Sequence, residues 1–175
     1  MVSLRHVRRQ TSNQKSPREA PPTRLIVPVS GDEGDRRLLD IIGKIGARQR
    51  VDVTLVFVVE VQQSMPLDAE LPYEIERGEH ALSSAETLAE QLLGDNRQSP
   101  VRTELLQARS AGAAIVDEAI DRNADMILLA STLRRKYGRV TTGETIAYVL
   151  KNAPCEVILV RLALPDWQSD DMEQP

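Results

Sequence analysis

The residues whose types could do chemistry fall in two short polar stretches. One is Ser30-Gly31-Asp32-Glu33-Gly34-Asp35; the other runs from Ala130 and Ser131 through Leu133, Arg134, Arg135, Lys136 and Arg139 to Gly143, Glu144 and Thr145. Glycines, hydroxyls and cations in loops are the groups that hold phosphate. Glycine lets the backbone approach anionic oxygens, and guanidinium or ammonium supplies charge. The carboxylates work against this: Asp32, Glu33 and Asp35 suit the positive end of a helix but repel a phosphate placed there. No residue in either stretch is an evident base for activating water. No catalytic residue, and no enzymatic activity, is expected.

Other chemistry is excluded more simply. The two histidines, His6 and His80, lie in unrelated contexts, and Cys155 is the only cysteine, so neither a disulfide framework nor a histidine or cysteine metal site is expected. Cys155 precedes an apolar run and reads as a packing residue rather than a reactive thiol. Asp117, Glu118 and Asp121 fall opposite the apolar stripe of their helix and read as solvated carboxylates. There is no G-x-G-x-x-G, G-x-x-x-x-G-K-[ST] or G-x-S-x-G pattern. Ser30-Gly31-Asp32 only faintly matches a pyrophosphate loop, with acids where pyrophosphate would sit.

The elements that must position these loops are legible from periodicity. Met126 to Leu129 and Glu156 to Val160 are near-continuous runs of aliphatic residues. The segment between them holds a polar basic loop, Ser131 to Thr142, and a helix opened near Gly143 with Ile146, Val149, Leu150 and Ala153 on one stripe. This is a βαβ unit, and in open parallel sheets the ligand crevice lies beyond the carboxyl ends of the strands, where both polar stretches fall.

Upstream, Leu25 to Val29, Val51 to Val61 and Val101 to Leu106 read as strands, the last suited to an edge. A helix after Gly34 carries Leu38, Leu39, Ile41, Ile42 and Ile45. A long one from about Glu74 to Leu93 carries Leu82, Ala85, Ala89 and Leu92 and stops at Gly94. A third, capped by Ser110, carries Ile115, Val116, Ala119 and Ile120. Five strands alternating with four helices predict an α/β fold. It is a three-layer, doubly wound sheet of five parallel strands in the order 3-2-1-4-5, with Ser30-Gly31 beside Ala130-Ser131 at the switch point.

Composition sets the boundaries. A chain of 175 residues, 41% hydrophobic, suits one domain with a sizeable core. Aromatic content of 3% argues against a nucleic-acid surface of stacking rings, so no sequence-specific nucleic-acid partner is expected. No apolar run approaches the length of a membrane span and the start lacks a secretory core, so a cytoplasmic location is expected. Arg5, Arg8, Arg9, Lys15, Arg18 and Arg24 against Glu19 alone give the first 24 residues a charge of +5; the rest of a chain of net charge −4 therefore carries −9. Residues 1–23 are expected to be a disordered basic leader, with weak attraction to lipid or nucleic acid as the functional alternative. The folded domain is expected over 24–162, and residues 163–175 read as a disordered acidic tail.

VPVSG (Val27 to Gly31), LVFVVEV, GAAIVDEAIDRNADMILLA (Gly112 to Ala130) and GETIAYVLKNAPCEVILVR (Gly143 to Arg161) together resemble the universal stress protein family, over roughly Arg24 to Arg161. The resemblance implies a Rossmann-like sheet of the adenine nucleotide alpha hydrolase-like type. It also implies a homodimer joined through the last strand, Val157, Ile158, Leu159 and Val160. Nucleotide-binding members wrap ATP phosphates with glycine, two residues, glycine, nine residues, then glycine and a hydroxyl residue. Here those positions hold Ala130, Leu133, Gly143 and Glu144, and Ser30 stands where the family has an acid. Ala130 and Leu133 thicken a loop that should be slim, and Glu144 cannot donate to phosphate.

Two readings follow. In the first, the chain is a regulatory domain that dimerises and binds a protein partner, such as a membrane transporter of the kind that carries such domains, with no cofactor. In the second, it is a sensor of ATP, AMP or a cyclic nucleotide, held by Ser30, Gly31, Ala130, Ser131, Gly143 and the loop cations.

Overall fold

In chain order the elements are β1 (Thr23–Pro28), α1 (Glu33–Gly46), β2 (Val51–Glu60), α2 (Pro72–Leu93), β3 (Val101–Ala108), α3 (Ala111–Asp121), β4 (Met126–Ser131), β5 (Arg134–Lys136), β6 (Arg139–Thr141), α4 (Glu144–Asn152) and β7 (Glu156–Arg161). The structure is a computed structural model and describes residues 21–94, 99–131, 134–136, 139–141 and 143–162.

The five aliphatic runs form one parallel sheet in the order β3-β2-β1-β4-β7, the predicted order with β7 as the fifth main strand. Consecutive residues of a strand point to opposite faces, and both faces are covered. Leu25, Val27, Val53, Leu55 and Phe57 pack with Leu38, Leu39 and Ile42 of α1 and Ala81, Leu82 and Ala85 of α2. Ile26, Val56, Ile127 and Leu129 pack with Ile115, Val116 and Ala119 of α3 and Ile146 and Val149 of α4.

Helix ends follow capping chemistry. The Asp32 side chain accepts from Gly34 N at 2.7 Å to open α1, and Ser110 accepts from Ala113 N at 3.4 Å to open α3, as expected. Pro72 starts α2, where its missing N–H costs nothing, and Gly94 ends it at φ 67. The segment between β2 and α2 is held down from β3: Arg109 donates to the carbonyls of Val61, Gln62 and Met65, and Gln107 donates to Ala69 O at 3.0 Å. At the opposite end of the sheet, Arg24 grips Asp125 through its guanidinium, at 3.1 Å, and its backbone N–H, at 2.8 Å. The starts of β1 and β4 are thereby tied together.

Several expectations need correction. The stretch expected as one polar loop contains a small antiparallel hairpin, β5 with β6, Arg135 opposite Val140. Leu92, Ile120 and Leu150 are exposed despite their helical spacing: Ile120 and Leu150 lie at the margins of their helix stripes, and Leu92 lies in the last turn of α2. β1 begins at Thr23, inside the stretch assigned to the leader, since its pairing with β2 starts at Thr23 opposite Val51. Residues 1–20 and 163–175, and Leu133, lie outside the described residues.

The helices approach the sheet closely through glycine. A Cβ on Gly78 of α2 would come within 2.7 Å of the Phe57 ring and 2.9 Å of Leu105 Cδ1. Gly78→Val therefore forces the helix off the sheet and should lower the unfolding free energy in urea by about 1–3 kcal/mol, the usual cost of overpacking.

Candidate functional site

The site is built where β1 and β4 end side by side and their connections diverge. Leu25 lies opposite Met126 and Ile26 opposite Ile127, so β1 and β4 are parallel neighbours whose carboxyl ends, followed by Ser30-Gly31 and closed by Ser131, lie on the same side of the sheet. After β1 the chain turns at Gly31, whose φ of +79 suits glycine, and enters α1. That turn presents two backbone N–H groups at the mouth of the crevice.

Both are occupied by the chain's own carboxylate. Asp35, in the first turn of α1, accepts from Ser30 N at 3.1 Å on each oxygen and from Gly31 N at 2.7 Å. Asp35 is half-buried, and desolvation pushes its pKa above the ordinary carboxylate value. The amides of Gly31 and Ser30 pull in the opposite direction, while neighbouring Asp32 adds to the rise.

The crevice floor is tight. A Cβ on Gly34 would lie 3.0 Å from Ala130 Cβ and 3.3 Å from Leu162 Cδ1, so α1, β4 and the chain leaving β7 converge there. Ala130 is half-buried in this contact. Ser131 is buried, and its carbonyl accepts from Leu162 N at 2.8 Å.

The other sequence-predicted positions distribute as follows. Arg134 and Arg135 sit on β5 of the hairpin, and Lys136 and Arg139 complete its two strands. Gly143 precedes α4 at φ +93, with nothing within 4 Å of where a Cβ would stand. Because α4 runs antiparallel to the strands, Gly143 lies at the carboxyl end of the sheet with the crevice. Glu144 is exposed in the first turn of α4, and Thr145 is half-buried. Val157, Ile158, Leu159 and Val160 form the core of β7 at one end of the sheet, each half-buried. Cys155 is half-buried, and desolvation followed by the charges of Asp125 and Glu156 raises its thiol pKa.

Sequence reasoning missed the role of Asp35. It grouped Asp35 with Asp32 and Glu33 as partners of the helix dipole, although a carboxylate four residues beyond a glycine turn is within reach of that turn's amides. Among the described residues, no group of three or more His, Cys, Asp or Glu side chains could hold a metal ion. No described helix is long and apolar enough to cross a membrane.

A parallel doubly wound sheet with its crevice at the β1–β4 switch defines the class of the fold. Residues 22–161 match the profile of the universal stress protein family, and the chain belongs to that family. A universal stress protein of Methanocaldococcus jannaschii is 26% identical over 144 residues, covering 79% of this chain and 81% of its own. Among solved structures, the universal stress protein from Archaeoglobus fulgidus in complex with dAMP superimposes with a TM-score of 0.61 at 17% identity, over 81% of this chain and 99% of that one. Universal stress protein UspA from Lactobacillus plantarum gives 0.61 at 24% identity over 81% and 99%.

The Asp35 geometry has a pH consequence. A carboxyl whose pKa is higher folded than unfolded contributes stability below the unfolded value and loses it as pH rises through the folded one. Asp35→Asn should therefore gain stability relative to the wild type as pH rises from about 4 to 6, spanning the ordinary carboxylate range and above. Urea titrations at each pH would show it; a constant difference across the range would contradict burial as the dominant cause.

Proposed function

We propose that this chain is a non-enzymatic regulatory domain of the universal stress protein family, acting by dimerisation and by binding a protein partner, with its nucleotide cradle degenerate. The observation that carries this reading is the Asp35 carboxylate on the amides of Ser30 and Gly31. An anionic ligand would have to displace an anion already held at short range, and would meet its charge while doing so. Two further features work in the same direction: Ala130 packed under Gly34, and the Glu144 carboxylate at the N-terminus of α4, where the helix dipole would otherwise favour a phosphate.

A second reading, an adenine-nucleotide sensor, is favoured by a specific observation. Gly143 keeps the open, positive-φ conformation that a backbone needs to approach phosphate, and the structural relative from Archaeoglobus fulgidus was solved with dAMP. The cations carried by β5 and β6 would then replace the lost glycines by charge. Calorimetric titration with AMP and ATP at moderate salt separates the readings. The regulatory reading expects no saturable binding tighter than about 1 mM, and a lower Kd would replace it with the sensor.

The proposed homodimer rests on β7. In the fold, Val157 and Leu159 pack toward the α3–α4 layer and Ile158 and Val160 toward the α1 layer, and the strand's outer edge has no strand partner among the described residues. An apolar edge of this kind is a template for another strand, and pairing with its own copy covers it. The partner class we favour is a cytoplasmic protein or the cytosolic side of a membrane transporter. Light scattering at tens of micromolar (roughly, a concentration choice that matters because dimers obey mass action) should give twice the mass of one chain; monomer alone would defeat the dimer.

A further inference from the structure

The second edge of the sheet has a feature of its own. Among the described residues, β3 pairs only with β2. The carbonyls of Pro100 and Ala108 point inward, accepting from Val53 N at 2.9 Å and Val61 N at 2.8 Å. Backbone groups alternate in direction along a strand, so those of Thr103, Leu105 and Gln107 point outward, where no described strand meets them.

Beside the upper part of this edge lies a groove of about 400 Å³ between Leu67, Leu106 and Ala113. Arg109, whose guanidinium is turned to the carbonyls of Val61, Gln62 and Met65, stands at its β3 side, and Asp117, Glu118 and Asp121 lie along its α3 side. Glu118 is engaged by Arg122 at 2.7 Å. Asp117 and Asp121 are exposed, and their carboxylates form no hydrogen bond or ion pair among the described residues. A row of outward backbone groups next to a groove of mixed lining with two exposed carboxylates fits an extended basic segment, which would bond through its main chain and be selected by its charge.

The chain carries such a segment. Residues 1–20 hold Arg5, Arg8, Arg9, Lys15 and Arg18 against Glu19, and they intersperse these with Val2, Leu4 and Val7. Its point of attachment is favourable. Pro21 and Pro22 lead into Thr23 at the start of β1, the end of the sheet where β3 also starts. Because α3 runs antiparallel to the strands, Asp121 faces that same end. The position outside β3 is three strand spacings from β1, about 14 Å, a distance that about five extended residues cover. A segment followed back from Thr23 along this edge runs antiparallel to β3, an orientation that strand addition accepts.

We propose that the basic leader, residues 1–20, docks in cis on the β3–α3 groove as an added antiparallel strand, its cations set against Asp117 and Asp121. The docked leader would cap the edge of β3 and occupy the groove until a competitor for its charges removes it.

Amide hydrogen exchange on the full chain tests this. The outward amides of Thr103, Leu105 and Gln107 should be protected in the wild type. Their exchange should speed up on the order of tenfold or more in Arg8→Glu/Arg9→Glu/Lys15→Glu and, separately, in Asp117→Lys/Asp121→Lys, while the inward amides of Arg102, Glu104 and Leu106 stay unchanged. Combining the two charge reversals should restore protection, which loss of fold in either variant could not do. Outward amides exchanging at open-chain rates in the wild type would overturn the proposal. So would protection that the charge reversals leave intact, or protection that fades on dilution, which would assign the groove to the leader of a second copy.

Discussion

Leu25, Ile26 and Val27 are all buried, although consecutive residues of a strand point to opposite faces. β1 therefore needs apolar cover on both sides, and β2 and β4 beside it need the same. Parallel strands can meet that need only through crossover connections, which lay α1 and α2 on one face and α3 and α4 on the other. This two-sided burial leaves polar groups few places to act. They can gather at the carboxyl ends of the strands, where the chain turns into helices, or along the two edges, β3 and β7. Every functional question about this domain falls on one of those three places.

At the carboxyl ends, the decisive balance is between one carboxylate and the water it gives up. Asp35 loses hydration by sitting under the turn, and the amides of Ser30 and Gly31 compensate only in part, so its pKa stays raised. The same carboxylate satisfies donors that a turn before a helix would otherwise leave to solvent or ligand. Its neighbour Asp32 is already committed to Gly34 N as the helix cap, and cannot perform both tasks. The acidic cluster that opens α1 thus divides into a cap and a plug. The plug's position, together with the contact of Gly34 with Ala130, links the helix to the crevice floor.

How much of this could be read from residues alone depended on whether periodicity carried the signal. Strand runs, the Ser110 cap and the Gly94 stop were legible because each is a local pattern with one physical outcome, and the order of the sheet followed from the rules for crossovers between parallel strands together with the family resemblance. The hairpin was not: Arg-Arg-Lys and Arg-Val-Thr lack the apolar alternation that marks a strand, and only the backbone shows their pairing. Leu92, Ile120 and Leu150 match a helical stripe in spacing, yet spacing does not say where the margin of a stripe or the last turn of a helix leaves the core. For Asp35 the composition was right and the geometry ambiguous. An acid in a first turn can serve the dipole, the cap or the preceding turn, and the choice depends on a φ of +79 at Gly31. The grip of Arg109 on three carbonyls left no sequence trace at all.

The two edges resolve the hazard of unpaired backbone in opposite ways. On β3, charged side chains alternate with apolar ones, and they are tied sideways into the fold: Arg102 to Asp52 of β2, and Glu104 to Arg122 beyond α3. Such charges make lateral joining of two sheets costly, because each pair would have to be desolvated or broken. On β7 the charges, Glu156 and Arg161, stand only at the ends, and the four residues between them are aliphatic. Docking two apolar edges removes hydrocarbon from water without stranding a charge, whereas docking two β3 edges would strand several. The asymmetry gives assembly a direction: a sheet continued through β7 would leave a β3 edge at each outer end, accessible to basic extended chains and closed to copies of itself.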